Sequence, residues 1–220
     1  MDAIAITGFL GSGKTTLLLE IAKRLVAGGK RLAIIENEVG KTGVDGKKLA
    51  AEGLQVREII SGCICCTLVG DLHTTIMELK RTAAPDILLI EPSGVAGPPQ
   101  VADALASIDE VDSFRLAVLL DGKRWGFLWQ RSEHFIRGSL AAADLAVLTK
   151  IDLLDADSLA QACSAIAAIQ PGLPVYPISA LSGQGIDAFA DALLKPVAAK
   201  KCLVPAEDRQ PSLKRNPFQG

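Results

Sequence analysis

The chain has 220 residues and a formal net charge of −2, and 49% of its residues are hydrophobic. This length is enough for one large domain or two small ones, and so small a net charge gives no electrostatic reason to expect nucleic-acid binding. No apolar run is long enough to span a bilayer, and no basic leader with a cleavage site precedes the first run, so the sequence predicts a cytoplasmic protein.

Seven apolar runs suit buried parallel strands, and helical patterns separate most of them. The runs cover residues 3–6, 31–36, 56–60, 86–91, 114–120, 145–149 and 175–178. The helical patterns cover residues 15–27, 70–83, 98–107, 155–169 and 185–194. This alternation predicts an α/β fold with a doubly wound, mainly parallel seven-stranded sheet, whose ligand binds outside the carboxyl ends of the strands.

A glycine-rich segment, GFLGSGKTT, joins the first strand to the first helix. It matches GxxxxGK[ST] between a strand and a helix, so it predicts a phosphate loop rather than a turn that merely precedes a helix. Backbone N–H groups would bind the phosphates, Lys14 would reach the β- and γ-phosphates, and the Thr15 hydroxyl would hold Mg²⁺. The predicted nucleotide-binding residues of this loop are Gly8, Gly11, Ser12, Gly13, Lys14, Thr15 and Thr16.

Three cysteines, Cys63, Cys65 and Cys66, follow the third apolar run. In a reducing compartment this spacing indicates metal or redox chemistry, and thiolates suit Zn²⁺, Co²⁺ or Cu(I). We expect the cysteines to lie outside a helix, with a fourth ligand from water, a carboxylate, His73 or a second subunit. The alternative is a set of buried apolar cysteines.

The fourth apolar run ends in EPSG at residues 91–94. An acidic residue that closes a strand beside a phosphate loop would hold Mg²⁺, directly or through water, or orient the attacking water. The Gly94 N–H would contact a γ-phosphate. Lys14, Glu91 and Gly94 are therefore the predicted catalytic residues, and the alternative for Glu91 is a carboxylate that only caps the next helix.

Two later strand ends resemble the guanine-binding NKxD and SA motifs of GTPases. The Asp152 carboxylate would accept from the guanine N1 and N2 hydrogens, which adenine does not offer in that arrangement. The Lys150 stem would lie along the ring, and the Ala180 N–H would meet O6. Thr149 replaces the usual Asn, which predicts a lower affinity or selectivity for guanine. The predicted base-binding residues are Thr149, Lys150, Asp152, Ser179, Ala180 and Leu181.

Two segments carry less information. The connection at residues 122–143 holds both tryptophans and the second histidine, and we expect a helix packed on the rim of the fold, with a role in binding left open. From Lys195 onward the pattern gives way to Lys, Pro and polar residues. The sequence therefore predicts one GTPase domain over residues 1–195 and a poorly ordered tail over 196–220.

Taken together, GFLGSGKTT, ENEVG at 36–40, GCICCTL at 62–68 and EPSG resemble the CobW/HypB/UreG family of P-loop GTPases, closest to its CobW-like branch with CxCC. The resemblance covers residues 3 to about 194. It implies a SIMIBI-type GTPase fold and slow GTP hydrolysis, with GTP or GDP and Mg²⁺ bound. It further implies delivery of Zn²⁺, Co²⁺ (or a corrinoid) or Ni²⁺ to a client metalloprotein or corrinoid protein.

In that family the ENE segment lies in a nucleotide-responsive loop, so Glu36 and Glu38 are candidate ligands of Mg²⁺ or the transition metal. A metal site shared across a homodimer and a monomeric site completed by water or Glu38 both remain open. The chain departs from the family at Val39 and Lys41. CobW-like proteins usually continue into a C-terminal domain, so we expect the GTPase surface, the 122–143 connection or the tail to recognise the client.

The competing function is that of a small-molecule kinase, in which Glu91 acts as a base towards an acceptor hydroxyl and the cysteines are structural. It shares the phosphate loop but explains neither CxCC nor the TKxD and SA pair. No arginine lies in a recognised motif, so we expect slow turnover unless Arg124, Arg131 or Arg137 supplies an arginine finger within the chain.

Overall fold

A computed structural model describes residues 1–36, 55–58, 64–92 and 97–195, with the backbone alone at 55–58 and 64–71. The predictions made for Glu38, Cys63 and Gly94 lie outside the described residues, as do those for the tail.

The described ranges contain seven strands, six helices and one 3₁₀ turn. The strands are β1 (Asp2–Gly8), β2 (Leu32–Glu36), β3 (Gln55–Glu58), β4 (Ile87–Glu91), β5 (Ser113–Asp121), β6 (Leu145–Thr149) and β7 (Val175–Ile178). The helices are α1 (Lys14–Ala27), α2 (Ile64–Thr82), α3 (Pro98–Ala106), α4 (Trp125–Ala142), α5 (Ala156–Ile169) and α6 (Ile186–Leu193), and the 3₁₀ turn is Ile151–Leu153. No helix of the described ranges combines the length and apolar character that a membrane span requires.

The strands form one sheet in the order β3-β2-β4-β1-β5-β6-β7, and every neighbouring pair is parallel. The central strands are apolar on both faces, as expected where helices cover a sheet from both sides. The doubly wound α/β prediction is confirmed. Because all strands run the same way, the loops after β1, β4, β5, β6 and β7 meet at one edge, which is where the predicted motifs lie.

Helices cover both faces of the sheet. On one face, α1 and α6 bury Leu17, Ile21 and Phe189 against β1, β5 and β6. On the other face, α2 and α3 pack on β1, β2 and β4, while α4 and α5 pack on β5 and β6. Burying each large apolar side chain contributes about 1.5–3 kcal/mol, so these two cores hold the sheet edge and its loops in place.

Helix α2 begins earlier than the sequence analysis predicts. It starts at Ile64 rather than at residue 70, so Cys65 and Cys66 lie in its first turn. The expectation that the cysteines lie outside a helix is therefore wrong for these two. Ile64, Leu68 and Leu72 continue the spacing of the apolar stripe, and Gly70 costs a helix interior only about 1 kcal/mol.

Helix α4 belongs to the main helical layer and not to the rim. Its residues Leu128, Ile136 and Leu140 are buried against β5 and β6, which corrects the expectation for the 122–143 connection. The backbone at Ser132 departs from helical geometry, with φ of −140° and ψ of 29°, so the helix is kinked there.

Candidate functional site

The loop after β1 adopts a conformation that needs glycine. Gly8, Gly11 and Gly13 have positive φ values of 145°, 74° and 91°. A Cβ atom at Gly8 would lie 2.5 Å from the carbonyl oxygen of Leu119 on the neighbouring strand. Helix α1 begins at Lys14, directly after the left-handed Gly13, so the N-terminal N–H groups of the helix face the loop.

The structure brings together three residues predicted to act on the phosphates and Mg²⁺. Lys14 is only 7% exposed, and its Nζ lies 4.0 Å from Oε1 of Glu91. The Thr15 hydroxyl donates to the same Oε1 at 3.0 Å. Lys14 Nζ also donates to the Phe9 carbonyl at 3.4 Å. A hydroxyl and a carboxylate oxygen side by side are the hard donors that Mg²⁺ prefers, so this pair fits the ion.

Acidic residues form a row beside this pair. Glu36 ends β2 and is buried, and the strand register places it next to Glu91 on one side and Glu58 on the other. Glu58 is not among the predicted site residues. It lies inside the third apolar run. An acidic residue near the end of a strand is the sequence signal that could have identified it.

The TKID loop, residues 149–152 after β6, is hydrogen-bonded to the phosphate loop. Thr149 is buried, and its hydroxyl donates to the Ser12 carbonyl at 2.8 Å. Lys150 has a left-handed backbone with φ of 59°. Its Nζ donates to the Gly11 carbonyl at 2.6 Å and to Oδ2 of Asp121 at 2.7 Å. The Thr149 hydroxyl therefore makes a hydrogen bond between the two loops.

Asp121, at the end of β5, is not among the predicted site residues. Its carboxylate is 1% exposed and accepts from Lys150 Nζ and from Arg124 Nε, the latter at 2.8 Å. Burial raises the pKa of Asp121, but the hydrogen bonds from Lys150 and then Arg124 outweigh it, so the pKa lies below its ordinary value. An acidic residue closing an apolar strand, the signal that identified Glu91, was available here as well.

The loop after β7 is held by hydrogen bonds between its own residues. Ser179 is fully buried, its hydroxyl accepts from the Ser182 N–H at 3.2 Å, and its carbonyl accepts from the Gly183 N–H at 2.9 Å. Leu181 is 88% exposed. Since Thr149 pairs with the last residue of β7, this loop lies beside the TKID loop, whose Asp152 is exposed on the 3₁₀ turn.

The predicted transition-metal site is only partly covered. Cys65 and Cys66 are described by their backbone alone. His73 lies about two helical turns beyond Cys66, and its Nε2 is 3.4 Å from Oε2 of Glu110. Among the side chains that the structure describes, no three His, Cys, Asp or Glu residues converge to hold a metal. The cysteine site therefore stays a prediction.

Comparison with known proteins places the chain in a family. The model of the CobW/HypB/UreG nucleotide-binding domain matches residues 2–177. "Zinc chaperone YeiR" of Escherichia coli K12 is 38% identical over 150 residues, which are 67% of this chain and 45% of that protein. "Zinc chaperone CobW" of Sinorhizobium is 34% identical over 196 residues, 72% of this chain and 53% of that protein. The chain thus spans about half the length of these relatives.

Solved structures agree on the fold. The hydrogenase maturation factor HypB of Archaeoglobus fulgidus superposes with a TM-score of 0.63 at 20% identity and covers 88% of each chain. HypB of Helicobacter pylori, solved in complex with nickel, gives 0.61 at 18% identity over 87% of this chain and 85% of that one. Because the family match includes the phosphate loop, the cysteine motif and the TKID loop, this chain belongs to the CobW/HypB/UreG family.

Proposed function

We propose that this chain is a GTP-binding, slowly GTP-hydrolysing metallochaperone, which couples its nucleotide state to delivery of a transition metal or metal cofactor to a client protein. The observation that carries the proposal is that two loops meet at one edge of the sheet. One is a phosphate loop with Lys14 and Thr15 beside Glu91, and the other is a TKID loop bonded to it. Membership of the family and the zinc-chaperone names of its relatives support it.

The phosphate half of the site has a simple division of roles. Lys14 and the loop N–H groups bind the β- and γ-phosphates, and the Gly94 N–H meets the γ-phosphate. Thr15 and Glu91 hold Mg²⁺, with Glu91 acting directly or through water. When bound, Mg²⁺ neutralises charge that develops between the β- and γ-phosphates. The row formed by Glu36 beside Glu91 adds negative charge that favours a cation at this edge.

The base half selects guanine. We expect Asp152 to accept from the base N1 and N2 hydrogens and the Ala180 N–H to meet O6. The pairing of β6 with β7, which brings their two loops side by side, supports these roles. The Thr149 hydroxyl donates a hydrogen bond to the Ser12 carbonyl of the phosphate loop. Its replacement of Asn therefore acts on the phosphate loop more than on the base.

The proposed metal site uses Cys63, Cys65 and Cys66, with Glu36 and Glu38 as further candidate ligands. Zn²⁺ is the first choice because relatives are named zinc chaperones, with Co²⁺ and Ni²⁺ as alternatives. The cargo goes to a client metalloprotein or corrinoid protein in the cytoplasm, where thiolates stay reduced. A homodimer in which two chains complete one metal site accounts for a motif with only three cysteines.

Nucleotide preference tests the proposal directly. We expect calorimetry to give a markedly lower Kd for GTP than for ATP, and Asp152→Asn to shift the preference towards xanthosine triphosphate, whose base presents an acceptor where guanine has a donor. Equal affinity for ATP and GTP would contradict the proposal. Phosphoryl transfer from ATP to a small acceptor would support the kinase alternative.

A cobalt titration tests the coupling to metal. Co²⁺ is added to protein that holds GDP or a non-hydrolysable GTP analogue, and the thiolate-to-cobalt charge-transfer band is followed. A tenfold difference in Co²⁺ affinity between the nucleotides, about 1.4 kcal/mol, must appear reciprocally as a tenfold difference in nucleotide affinity. A triple Cys→Ser variant of the motif should lose the band. If it titrates like the wild type, the cysteines are structural.

Turnover gives a third test. We expect the isolated, metal-free protein to hydrolyse GTP far below the roughly 10 s⁻¹ that is typical of enzymes. Metal, client or dimerisation should accelerate it. A metal-free turnover near that typical value would show a complete active site and contradict the switch.

A further inference from the structure

Three consecutive carbonyls of the phosphate loop are each held by a donor from the ends of β5 and β6. The pairs are Arg124 Nη2 to the Leu10 carbonyl at 2.8 Å, Lys150 Nζ to the Gly11 carbonyl at 2.6 Å and the Thr149 hydroxyl to the Ser12 carbonyl at 2.8 Å. Two of these donors are cations, and charged donors make the stronger hydrogen bonds.

These contacts fix the direction of the N–H groups of the loop. In a planar trans peptide the C=O of one residue and the N–H of the next point in opposite directions. Each donor that holds the carbonyl of Leu10 or Ser12 therefore turns the N–H group of the next residue, Gly11 or Gly13, away from itself. The intervening Ser12 N–H is used inside the loop, where it donates to the Phe9 carbonyl at 3.1 Å.

Asp121 connects the two cationic donors. Oδ2 of this buried carboxylate accepts from Lys150 Nζ at 2.7 Å and from Arg124 Nε at 2.8 Å, while Oδ1 accepts from the Arg124 N–H at 3.1 Å. Both side chains then continue to the phosphate loop. A buried charge is costly unless it is paired, so the carboxylate holds both cations firmly in this geometry.

The backbone shows that both contacts are close. A Cβ atom at Gly11 would lie 3.4 Å from Nη2 of Arg124, so the guanidinium lies directly over the loop. Lys150 reaches the loop from a left-handed conformation that L-residues rarely adopt and that persists where surrounding contacts hold it. The α4 start and the TKID loop thus contact the phosphate loop at neighbouring residues.

We propose that Asp121 is a positioning residue, which uses Arg124 and Lys150 to bind the base-recognition loop and the phosphate loop into one unit. The proposal rests on the nucleotide-binding function proposed above and deepens it. Contact of guanine with the TKID loop is transmitted through Lys150 and Asp121 to the carbonyls that orient the phosphate-binding N–H groups. Arg124 acts on the loop and not on the γ-phosphate.

The test compares nucleotide affinities of Asp121→Asn and Arg124→Ala with the wild type, by calorimetry with GDP and GTP. Arg124→Ala should weaken both nucleotides by the same factor, about tenfold, because it removes a charged donor from the loop. Asp121→Asn should weaken the binding of both nucleotides at least as much. Arg124→Lys should retain part of the affinity that Arg124→Ala loses. The double variant should lose less than the product of the two single losses, because Asp121 acts partly through Arg124.

Arg31→Ala is the matched control, because Arg31 makes an Asp-paired guanidinium contact with Asp86 at the opposite end of the sheet. It should bind nucleotide as the wild type does. An equal loss in this control would show general destabilisation and overturn the proposal. So would wild-type affinities in both Asp121→Asn and Arg124→Ala.

Arg124 also has a competing role that the same experiment separates. If Arg124→Ala keeps both affinities but slows hydrolysis about 1,000-fold, Arg124 acts on the γ-phosphate and the positioning role is overturned. A wild type that binds neither GTP nor GDP would refute the nucleotide-binding function itself, which is a different result from normal binding in every variant.

Discussion

The two ends of the sheet carry charge in opposite ways. At the carboxyl ends of the strands, Glu36, Asp121 and Lys14 are 6%, 1% and 7% exposed. At the amino ends, the side chains of Arg31 and Asp86 form an ion pair while 64% and 39% exposed. Three charged side chains are therefore buried at one end of the sheet, whereas this ion pair at the other end stays in contact with water.

This difference distinguishes charged residues that serve a function from those that only contribute to the fold. An exposed ion pair contributes about 0–1 kcal/mol to stability, whereas a buried charge costs several kcal/mol before its partners offset that cost. Buried charges concentrated at the end where parallel sheets bind ligands are explained by the ligand's chemistry. At the amino end Arg115 is the exception among the described residues, since it is buried and donates to the Lys195 carbonyl.

Removing the Lys14 side chain should have the largest effect at the carboxyl end of the sheet. We expect Lys14→Ala to weaken GTP binding by at least about 1,000-fold, about 4 kcal/mol, because in the proposed site the ammonium would contact two phosphates. The midpoint of thermal unfolding without nucleotide should change far less, since the side chain lies at the loop and not in the core. Calorimetry and thermal unfolding measure the two effects.

Lys23→Ala is the control for that experiment, because Lys23 lies on the same helix and is 51% exposed beside Glu20. It should bind GTP normally. If Lys14→Ala loses affinity only in proportion to its stability, the buried charge at this end is structural, and the two ends of the sheet do not differ in function.

A backbone change at the same end should cost stability. Gly8→Ala places a Cβ atom 2.5 Å from the Leu119 carbonyl at a φ of 145°. Steric overlap and backbone strain each cost about 1–3 kcal/mol, so we expect a loss of about 3 kcal/mol in the free energy of unfolding. Gly138→Ala on α4, where nothing lies within 4 Å, should be neutral or stabilising. Urea denaturation of both variants measures the difference, and equal midpoints would contradict it.

Changes at Thr149 should have a smaller effect at the same end of the sheet. Its hydroxyl lies 2.8 Å from the Ser12 carbonyl and 3.2 Å from the Leu120 carbonyl. Thr149→Val keeps the shape and removes the donor, so we expect a loss of about 1–3 kcal/mol in stability together with weaker GTP binding. Thr149→Ser keeps the donor and should retain most of the GTP affinity. Similar affinities for the two variants would show that the hydroxyl does not support the loop.

Features with a local pattern could be predicted from the sequence. The strand and helix periods, and the GxxxxGK[ST] spacing between β1 and α1, each depend on residues close together in the chain, so the α/β fold followed from them. Strand β6 runs from Leu145 to Thr149, as predicted, because its apolar run is bounded by a polar residue at each end. The start of α2 was misplaced because Gly70 resembles a boundary although the apolar spacing passes through it.

The links between loops could not be predicted in this way. Asp121 and Lys150 are 29 residues apart, and Lys150 and Gly11 are 139 residues apart. No spacing rule connects them, since their contacts arise only when β1, β5 and β6 lie side by side. A strand-closing carboxylate at Asp121 was visible, but its role depends on partners that only the fold supplies.

The smallest effect is expected at the amino end, from Asp86→Asn. The hydrogen bonds from the Arg31 guanidinium and then from its backbone N–H lower the pKa of Asp86 to about 2, against about 3.9 in an unfolded chain. Because the folded pKa is the lower one, this carboxylate stabilises the protein above about pH 4 and loses that contribution as the pH falls towards 2.

Asp86→Asn should therefore unfold at a slightly lower temperature than the wild type at pH 7, and the two midpoints should converge between pH 4 and pH 2. GTP affinity at pH 7 should not change, because this pair lies at the end of the sheet away from the phosphate loop. Thermal unfolding across that pH range, with calorimetry at pH 7, checks both statements. A loss of GTP affinity comparable to that of Lys14→Ala would show that charge at the amino end also serves the nucleotide, and the contrast between the two ends would fail.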